Sequence, residues 1–176
     1  GKKGQRSKAF DEGTLIHAIL LDTMADDLGI VDAKDWRTNA AKAERDAIEA
    51  TGRSAVLAAD LGKAMIAADR IRENLAAFGI ELTGGQAEAT FTWMEQADSG
   101  RFVQCKGRVD YWIPGMPGMI YDLKSTANAK PDVCARSIVD YGYDIQMIAY
   151  GRATGADTTL IFFELEEPFV VTPLRL

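Results

Sequence analysis

Asp110, Asp122 and Lys124 have the types and spacing for metal-assisted chemistry. Residues 101–113 and 119–124 are rich in β-forming residues and flank a Pro/Gly-rich turn, which predicts a hairpin. Pairing across that hairpin can bring the two carboxylates together. Carboxylates at such close range repel each other unless a divalent cation, which prefers hard oxygen ligands, is bound by both. The pattern therefore predicts a metal site.

Lys124 follows Asp122 by two residues, which places both side chains on one face of the predicted strand. The lysine ammonium could orient an attacking water or offset charge on a phosphate in the transition state. The alternative without a metal is a surface ion pair between Asp110 and Arg108. Such a pair contributes about 1 kcal/mol or less to the free energy of unfolding. The predicted pairing of Asp110 with Asp122 favours the metal site.

Periodicity predicts the elements that must position these residues. Apolar residues at helical spacing predict helices over residues 13–21 and 60–78, and an Ala-, Glu- and Lys-rich segment predicts a solvated helix over 40–50. In the helix over 60–78 the N-cap is Asp60, and the predicted apolar stripe is Met65, Ile66, Ala68, Ile71, Leu75 and Phe78.

The second half of the chain has the character of a sheet. Alternation predicts a strand over residues 87–94 before the hairpin, and two further strands over 158–165 and 169–174. One helical stretch is predicted between them, over residues 131–153. The predicted fold class is α/β (mixed α+β), with a central mixed sheet flanked by helices.

Length and composition limit the classes of protein. A chain of 176 residues, 47% hydrophobic, is predicted to form a single domain over 1–176, with residues 1–9 flexible or derived from a tag. The net charge of -6 argues against a protein that coats nucleic acid. Residues 101–136 nevertheless carry six basic and three acidic side chains, a local charge of +3.

The two cysteines, Cys105 and Cys134, are too few for a disulfide framework or a four-thiolate metal site, and are interpreted as packing residues. A reduced, cytoplasmic setting is expected. The short apolar run from Leu15 is interrupted by His17 and closed by Asp22, so neither a signal peptide nor a membrane interaction is predicted.

Several segments together resemble the PD-(D/E)XK nucleases, and within them the RecB/RecE-type branch of phage and bacterial exonucleases. The matching segments are Gly13-Thr14-Leu15-Ile16-His17, Cys105-Lys106-Gly107-Arg108-Val109-Asp110, Ile120-Tyr121-Asp122-Leu123-Lys124-Ser125-Thr126, and Tyr141-Gly142-Tyr143-Asp144-Ile145-Gln146 with Tyr150. The resemblance covers residues 10–165 and implies a restriction-endonuclease-like core.

The resemblance also implies roles for individual residues. The implied metal ligands are His17, Glu88, Asp110, Asp122 and the backbone carbonyl of Leu123. The implied catalytic residues are Lys124, Asp122, Asp110, Gln146 and Tyr150, the last two from a Gln-x-x-x-Tyr helix. DNA-binding residues are expected among the basic side chains Arg108, Lys106, Lys130 and Arg136.

Each of these roles has a structural alternative. A lone histidine in an apolar helix is more often a packed residue than a ligand, but the Gly-x-x-x-His context of His17 favours the ligand. Gln146 and Tyr150 could equally be residues of a half-buried helix. Glu88 competes with Glu81 and Glu95 for the first acidic position. Tyr141 and Tyr143 are interpreted as structural.

The activity implied by the resemblance is hydrolysis of phosphodiester bonds in linear double-stranded DNA, from an end and 5′ to 3′. One or two Mg²⁺ ions, with Mn²⁺ as a substitute, would serve as cofactor. Implied partners are DNA ends, a single-strand-annealing recombinase and further copies of the chain in a ring, within a bacterium or a phage-infected host. Two alternatives remain: an endonuclease of the same superfamily, and a non-catalytic DNA-binding or assembly module.

Overall fold

The computed structural model describes residues 12–24 and 28–176. The chain divides into two compact units, Gly1–Arg72 and Glu73–Leu176. The predicted flexible or tag-derived start at residues 1–9 lies outside the described residues. The single domain predicted from chain length stays a prediction, and each unit is described separately below.

The first unit contains a small parallel pair of strands that the sequence did not predict. Strand β1 (Leu28–Val31) pairs in parallel with β2 (Ser54–Leu57), and helix α2 (Asn39–Glu49) lies between them in the chain. Each strand has only four residues, too few to show a two-residue alternation. The predicted order of elements was wrong in this respect, because it lacked β1 and β2.

Two helices of this unit confirm their predictions. Helix α1 (Glu12–Leu20) buries the apolar residues at helical spacing, and α2 begins one residue before its predicted start. The Thr38 hydroxyl accepts a hydrogen bond from the Ala41 N–H at 3.1 Å, which caps α2. The C-cap of α2 is Ala50, and Gly52, with a φ of +84°, follows two residues later.

Helix α3 (Ala58–Ala76) begins before Asp60, which therefore lies in the first turn and is not the N-cap. The predicted apolar stripe was also wrong in part, because Met65, Ile66 and Phe78 are 50%, 63% and 57% exposed. Small alanines occupy much of the buried face instead, and the buried residues are Ala64, Ala67, Ala68, Ile71 and Leu75. Across the described residues, no helix combines the length and the apolar character that crossing a membrane would need.

The second unit is built on a five-stranded mixed sheet, which confirms the predicted fold class. Its strands are β3 (Gln86–Gln96), β4 (Phe102–Ile113), β5 (Met119–Thr126), β6 (Asp157–Glu164) and β7 (Val171–Arg175), in that spatial order. Only the β5–β6 pair is parallel; the other neighbouring pairs are antiparallel. The predicted hairpin is formed by β4 and β5, with Tyr111 opposite Tyr121.

Two helices connect β5 to β6, where a single helical stretch was predicted. Helix α4 (Pro131–Tyr141) ends at Gly142, and α5 (Tyr143–Thr154) begins immediately after it. Gly142 has a φ of +67°, a left-handed conformation that ends a helix and that glycine adopts without steric cost. Both helices pack on the sheet through a buried cluster that includes Cys134, Ile138, Met147, Ile120 and Leu160.

Gly107 allows α5 to approach β4 closely. A Cβ atom at Gly107 would lie 2.6 Å from Cε1 of Tyr150 and 3.1 Å from Cζ of Phe91, both parts of the same packed cluster. The Tyr150 hydroxyl donates a hydrogen bond to the Arg108 carbonyl at 3.2 Å, so the ring cannot move without straining that bond. The close approach requires glycine at this position.

Gly107→Ala is expected to lower the free energy of unfolding by about 1–3 kcal/mol, the usual cost of overpacking. Urea unfolding measures this. The matched control is Gly62→Ala on α3, where a new Cβ meets nothing within 4 Å. Alanine is the better helix former, so the control should gain roughly 0.5–1 kcal/mol. Equal stability of the Gly107 variant and the parent would contradict the packing argument.

Candidate active site

Asp122 and Lys124 lie on β5, a central strand with β4 on one side and β6 on the other. They share a strand face, as predicted, and Lys124 Nζ forms an ion pair with Asp122 Oδ2. The Asp122 side chain is only 3% exposed and that of Lys124 only 23%. A buried pair of this kind costs desolvation energy on both sides, so its presence is weak evidence for a stabilising role.

The environment of Lys124 keeps it protonated. Burial acts to lower the pKa of its ammonium, but the charges of Asp122 and Asp110 and the hydrogen bond to Asp122 outweigh burial, so that the pKa lies above its usual value. At neutral pH, Lys124 is therefore a cation that can bind or orient negative charge, and it has no capacity to accept a proton.

Asp110 connects the two strands of the hairpin at the site. The backbones of β4 and β5 pair from Ile113 opposite Met119 to Tyr111 opposite Tyr121. Continuing this register by one residue places Asp110 opposite Asp122. At this point the Asp110 carboxylate oxygen Oδ2 accepts a hydrogen bond from the Leu123 N–H at 2.7 Å. The structure thus brings Asp110, Asp122 and Lys124 together at one end of the hairpin pairing.

Glu88 lies on β3 opposite Asp110. The pairs Ala87↔Tyr111 and Ala89↔Val109 leave Glu88 and Asp110 facing each other, and a carboxylate oxygen of each lies within 4.8 Å of the other. Glu88 has a φ of +52°, which is unusual for a residue with a side chain. The geometry favours Glu88 over Glu81, which lies outside the strand, and over Glu95, which accepts a hydrogen bond from Arg152.

The surroundings of Glu88 and Asp110 fit a divalent cation. Like charges opposite each other on neighbouring strands are destabilising, and a left-handed backbone at a non-glycine residue costs roughly 1–3 kcal/mol. Glu88 Oε2 is buried, and Arg108 Nε lies 2.9 Å away as its ion-pair partner. Hard carboxylate oxygens in this arrangement suit Mg²⁺ or Mn²⁺.

Gln146 and Tyr150 lie one turn apart on α5, as predicted. Gln146 Nε2 donates to the Tyr150 hydroxyl at 3.0 Å, and that hydroxyl donates to the Arg108 carbonyl. Tyr150 is 8% exposed. These hydrogen bonds join α5 to the backbone of β4 two residues before Asp110, and the catalytic role of the pair stays a prediction.

The four predicted DNA-binding residues lie on two elements. Lys106 and Arg108 are exposed on one face of β4, where Arg108 is 68% exposed in its ion pair with Glu88. Lys130 is the exposed N-cap residue of α4, and Arg136 on the same helix lies 4.0 Å from Asp132. The structure therefore places Arg108 in contact with the acidic pair, through Glu88, and Lys106 on the same strand four residues before Asp110.

Three further predictions concern residues whose roles stay predictions. His17 lies on α1 in the first unit and is half-buried. Leu123 has a buried side chain, and its N–H is the donor to Asp110, whereas its carbonyl was the predicted ligand. Cys134 is 1% exposed and burial raises the pKa of its thiol, in agreement with a packing role.

Tyr143 contacts the site, although the sequence predicted only a structural role for it. Its ring centroid lies 4.9 Å from Lys124 Nζ, which is a cation–π distance. The available signal was its spacing, because Tyr143 precedes Gln146 by three residues and Tyr150 by seven, on one face of the helix. The purely structural interpretation of Tyr143 missed this contact.

Residues 2–162 match the family described as "PDDEXK-like domain of unknown function (DUF3799)". The chain belongs to this family. It follows that this PDDEXK-like chain has a nuclease fold, and that the resemblance to the PD-(D/E)XK nucleases is confirmed. None of the curated proteins matches its sequence.

One solved structure agrees with the fold of this PDDEXK-like chain. A protein from Eubacterium rectale, described as "Putative exonuclease", superposes with a TM-score of 0.56 at 15% identity. The match covers 94% of this chain but only 59% of that protein. A second structure, of the protein SSO0001, matches at 12% identity over 91% of this chain and 75% of its own length, with a TM-score of 0.39.

Proposed function

We propose that this PDDEXK-like chain is a metal-dependent exodeoxyribonuclease that hydrolyses linear double-stranded DNA from an end, 5′ to 3′. The proposal rests on one observation: a buried Asp122–Lys124 ion pair lies on the strand next to Asp110, which faces Glu88. Acidic oxygens for a metal and a protonated lysine for a phosphate are the groups that phosphodiester hydrolysis requires.

In the proposed mechanism Glu88, Asp110 and Asp122 would hold one or two Mg²⁺ ions, with His17 and the Leu123 carbonyl as further ligands. A divalent cation held there would supply polarisation of the phosphate and a more acidic water. Lys124 keeps its proton at Nζ and binds a phosphate oxygen or the attacking water. Arg108 and Lys106 hold the DNA backbone beside the site, while Gln146 and Tyr150 keep β4 in place.

The RecE-type resemblance supplies the remaining parts of the proposal. These are a preference for DNA ends, 5′-to-3′ polarity, a ring of several copies, and cooperation with an annealing recombinase. The similarity to the Eubacterium rectale protein, itself described as a "Putative exonuclease", supports the exonuclease over the endonuclease. The buried lysine supports an enzyme over a non-catalytic module, because a binding module has no need for a buried lysine paired with a carboxylate.

End-labelled linear duplex and a covalently closed circle of the same sequence test the proposal. We expect Mg²⁺ or Mn²⁺ to support loss of the linear DNA, EDTA to stop it, and excess Mg²⁺ to restore it. The circle should survive. Cleavage of the circle would show that the chain is an endonuclease and not an exonuclease. If the linear DNA stays intact and calorimetry detects no Mg²⁺ binding, the non-catalytic module becomes the supported function.

A further inference from the structure

Tyr143 occupies a place fixed from two sides. It is the first residue of α5, directly after the left-handed Gly142. Its ring stacks on Tyr141 at 5.5 Å between centroids and tilts against Phe162 at 6.4 Å. Phe162 is 2% exposed and is the β6 partner of Lys124 in the parallel pairing. The ring is therefore supported by the strand next to the one that carries the lysine.

The ring and Asp122 together hold the lysine. The carboxylate of Asp122 binds the ammonium directly, and the Tyr143 ring centroid lies 4.9 Å from the same nitrogen. A lysine has four rotatable side-chain bonds and no planar fork, so a single ion pair leaves it several arrangements. An aromatic face adds a second, directional attraction for the cation, and this attraction is stronger where water is partly excluded.

We propose that Tyr143 is a positioning residue for the proposed nuclease reaction, and that its ring face holds the Lys124 ammonium where it can meet a phosphate oxygen. This inference rests on the proposed function. The ring, and not the hydroxyl, carries the effect. Loss of the ring lowers kcat, because the lysine spends less time in the productive arrangement, whereas KM for DNA is set mainly by the basic residues outside this contact.

Cleavage kinetics of substituted chains test the inference. Tyr143→Leu should lower kcat by about 3- to 30-fold, in the range of a partly desolvated cation–π contact, with KM within about twofold of the parent. Tyr143→Phe should restore most of kcat. Phenylalanines with one, two and three ring fluorines at position 143 should lower kcat progressively, because fluorine weakens the negative face of the ring while the shape is nearly kept.

Melting temperatures of the same variants separate positioning from packing. A fluorine series with constant melting temperature and falling kcat supports positioning. A flat kcat across the series, or a Leu variant whose loss is in KM alone, overturns it. If the parent cleaves no DNA, the proposed function fails; the ring–lysine contact then still has a test, because the ε-methylene NMR signals of Lys124 should be shifted by the ring in the parent and not in Tyr143→Leu.

Discussion

Lys124→Gln is expected to lower cleavage of linear DNA by at least about 100-fold in the presence of Mg²⁺, since the variant lacks the cation that offsets phosphate charge. The amide can still donate a hydrogen bond to Asp122, but it leaves a carboxylate that is 3% exposed without its counter-charge. Removal of one partner from a buried ion pair costs about 3–5 kcal/mol, so the melting temperature should also fall.

A metal titration distinguishes loss of chemistry from loss of fold in this variant. If Asp122 is a metal ligand, Mg²⁺ should raise the melting temperature of Lys124→Gln more than that of the parent, while cleavage stays low. The control is Lys42→Gln on the exposed face of α2, which should behave as the parent in both assays. Parent-like cleavage by folded Lys124→Gln would exclude a catalytic role for this lysine.

Asp110→Asn and Asp110→Ala should separate the two roles of Asp110, as a metal ligand and as the acceptor for the Leu123 N–H. The Asn variant keeps an oxygen for the hydrogen bond but removes the charge. We expect its Mg²⁺ affinity to fall about tenfold or more and cleavage by about 100-fold, with the free energy of unfolding within about 1 kcal/mol of the parent.

The Ala variant should lose the same metal affinity and, in addition, about 1–3 kcal/mol of stability, the cost of a buried donor left without an acceptor. Calorimetry with Mg²⁺ and urea unfolding measure the two quantities. Asp46→Asn, a 65% exposed carboxylate on α2, is the control for charge alone. Unchanged Mg²⁺ affinity in both Asp110 variants would remove this residue from the metal site.

The strands of the second unit could be predicted because they are long enough to alternate. β4 has twelve residues and β5 eight, and the Pro/Gly turn between them fixes the hairpin. β1 and β2 have four residues each, which is too short for a clear alternation. Their parallel pairing joins segments more than twenty residues apart, and a local sequence pattern cannot predict such a pairing. The prediction of one helical stretch passed over Gly142, although a glycine at a helix end is a usual stop signal.

The residues of the candidate site also differ in whether the sequence could predict them. Asp110, Asp122 and Lys124 could be predicted because strand alternation and hairpin pairing are local rules. The left-handed backbone of Glu88 could not, since glutamate has no preference for positive φ. The contact of Tyr143 with Lys124 depends on where α5 packs on the sheet, which is set by tertiary contacts such as Gly107 against Tyr150.

The hydrogen bond from Leu123 to Asp110 has a consequence for judging which relatives of this chain are active. Because the aspartate joins two strands as well as facing Glu88, a descendant that had lost the reaction would still be under selection to keep it. Its presence in a related sequence is then weak evidence of a working enzyme. Glu88, whose left-handed backbone is strained, should be among the first residues to change in an inactive lineage.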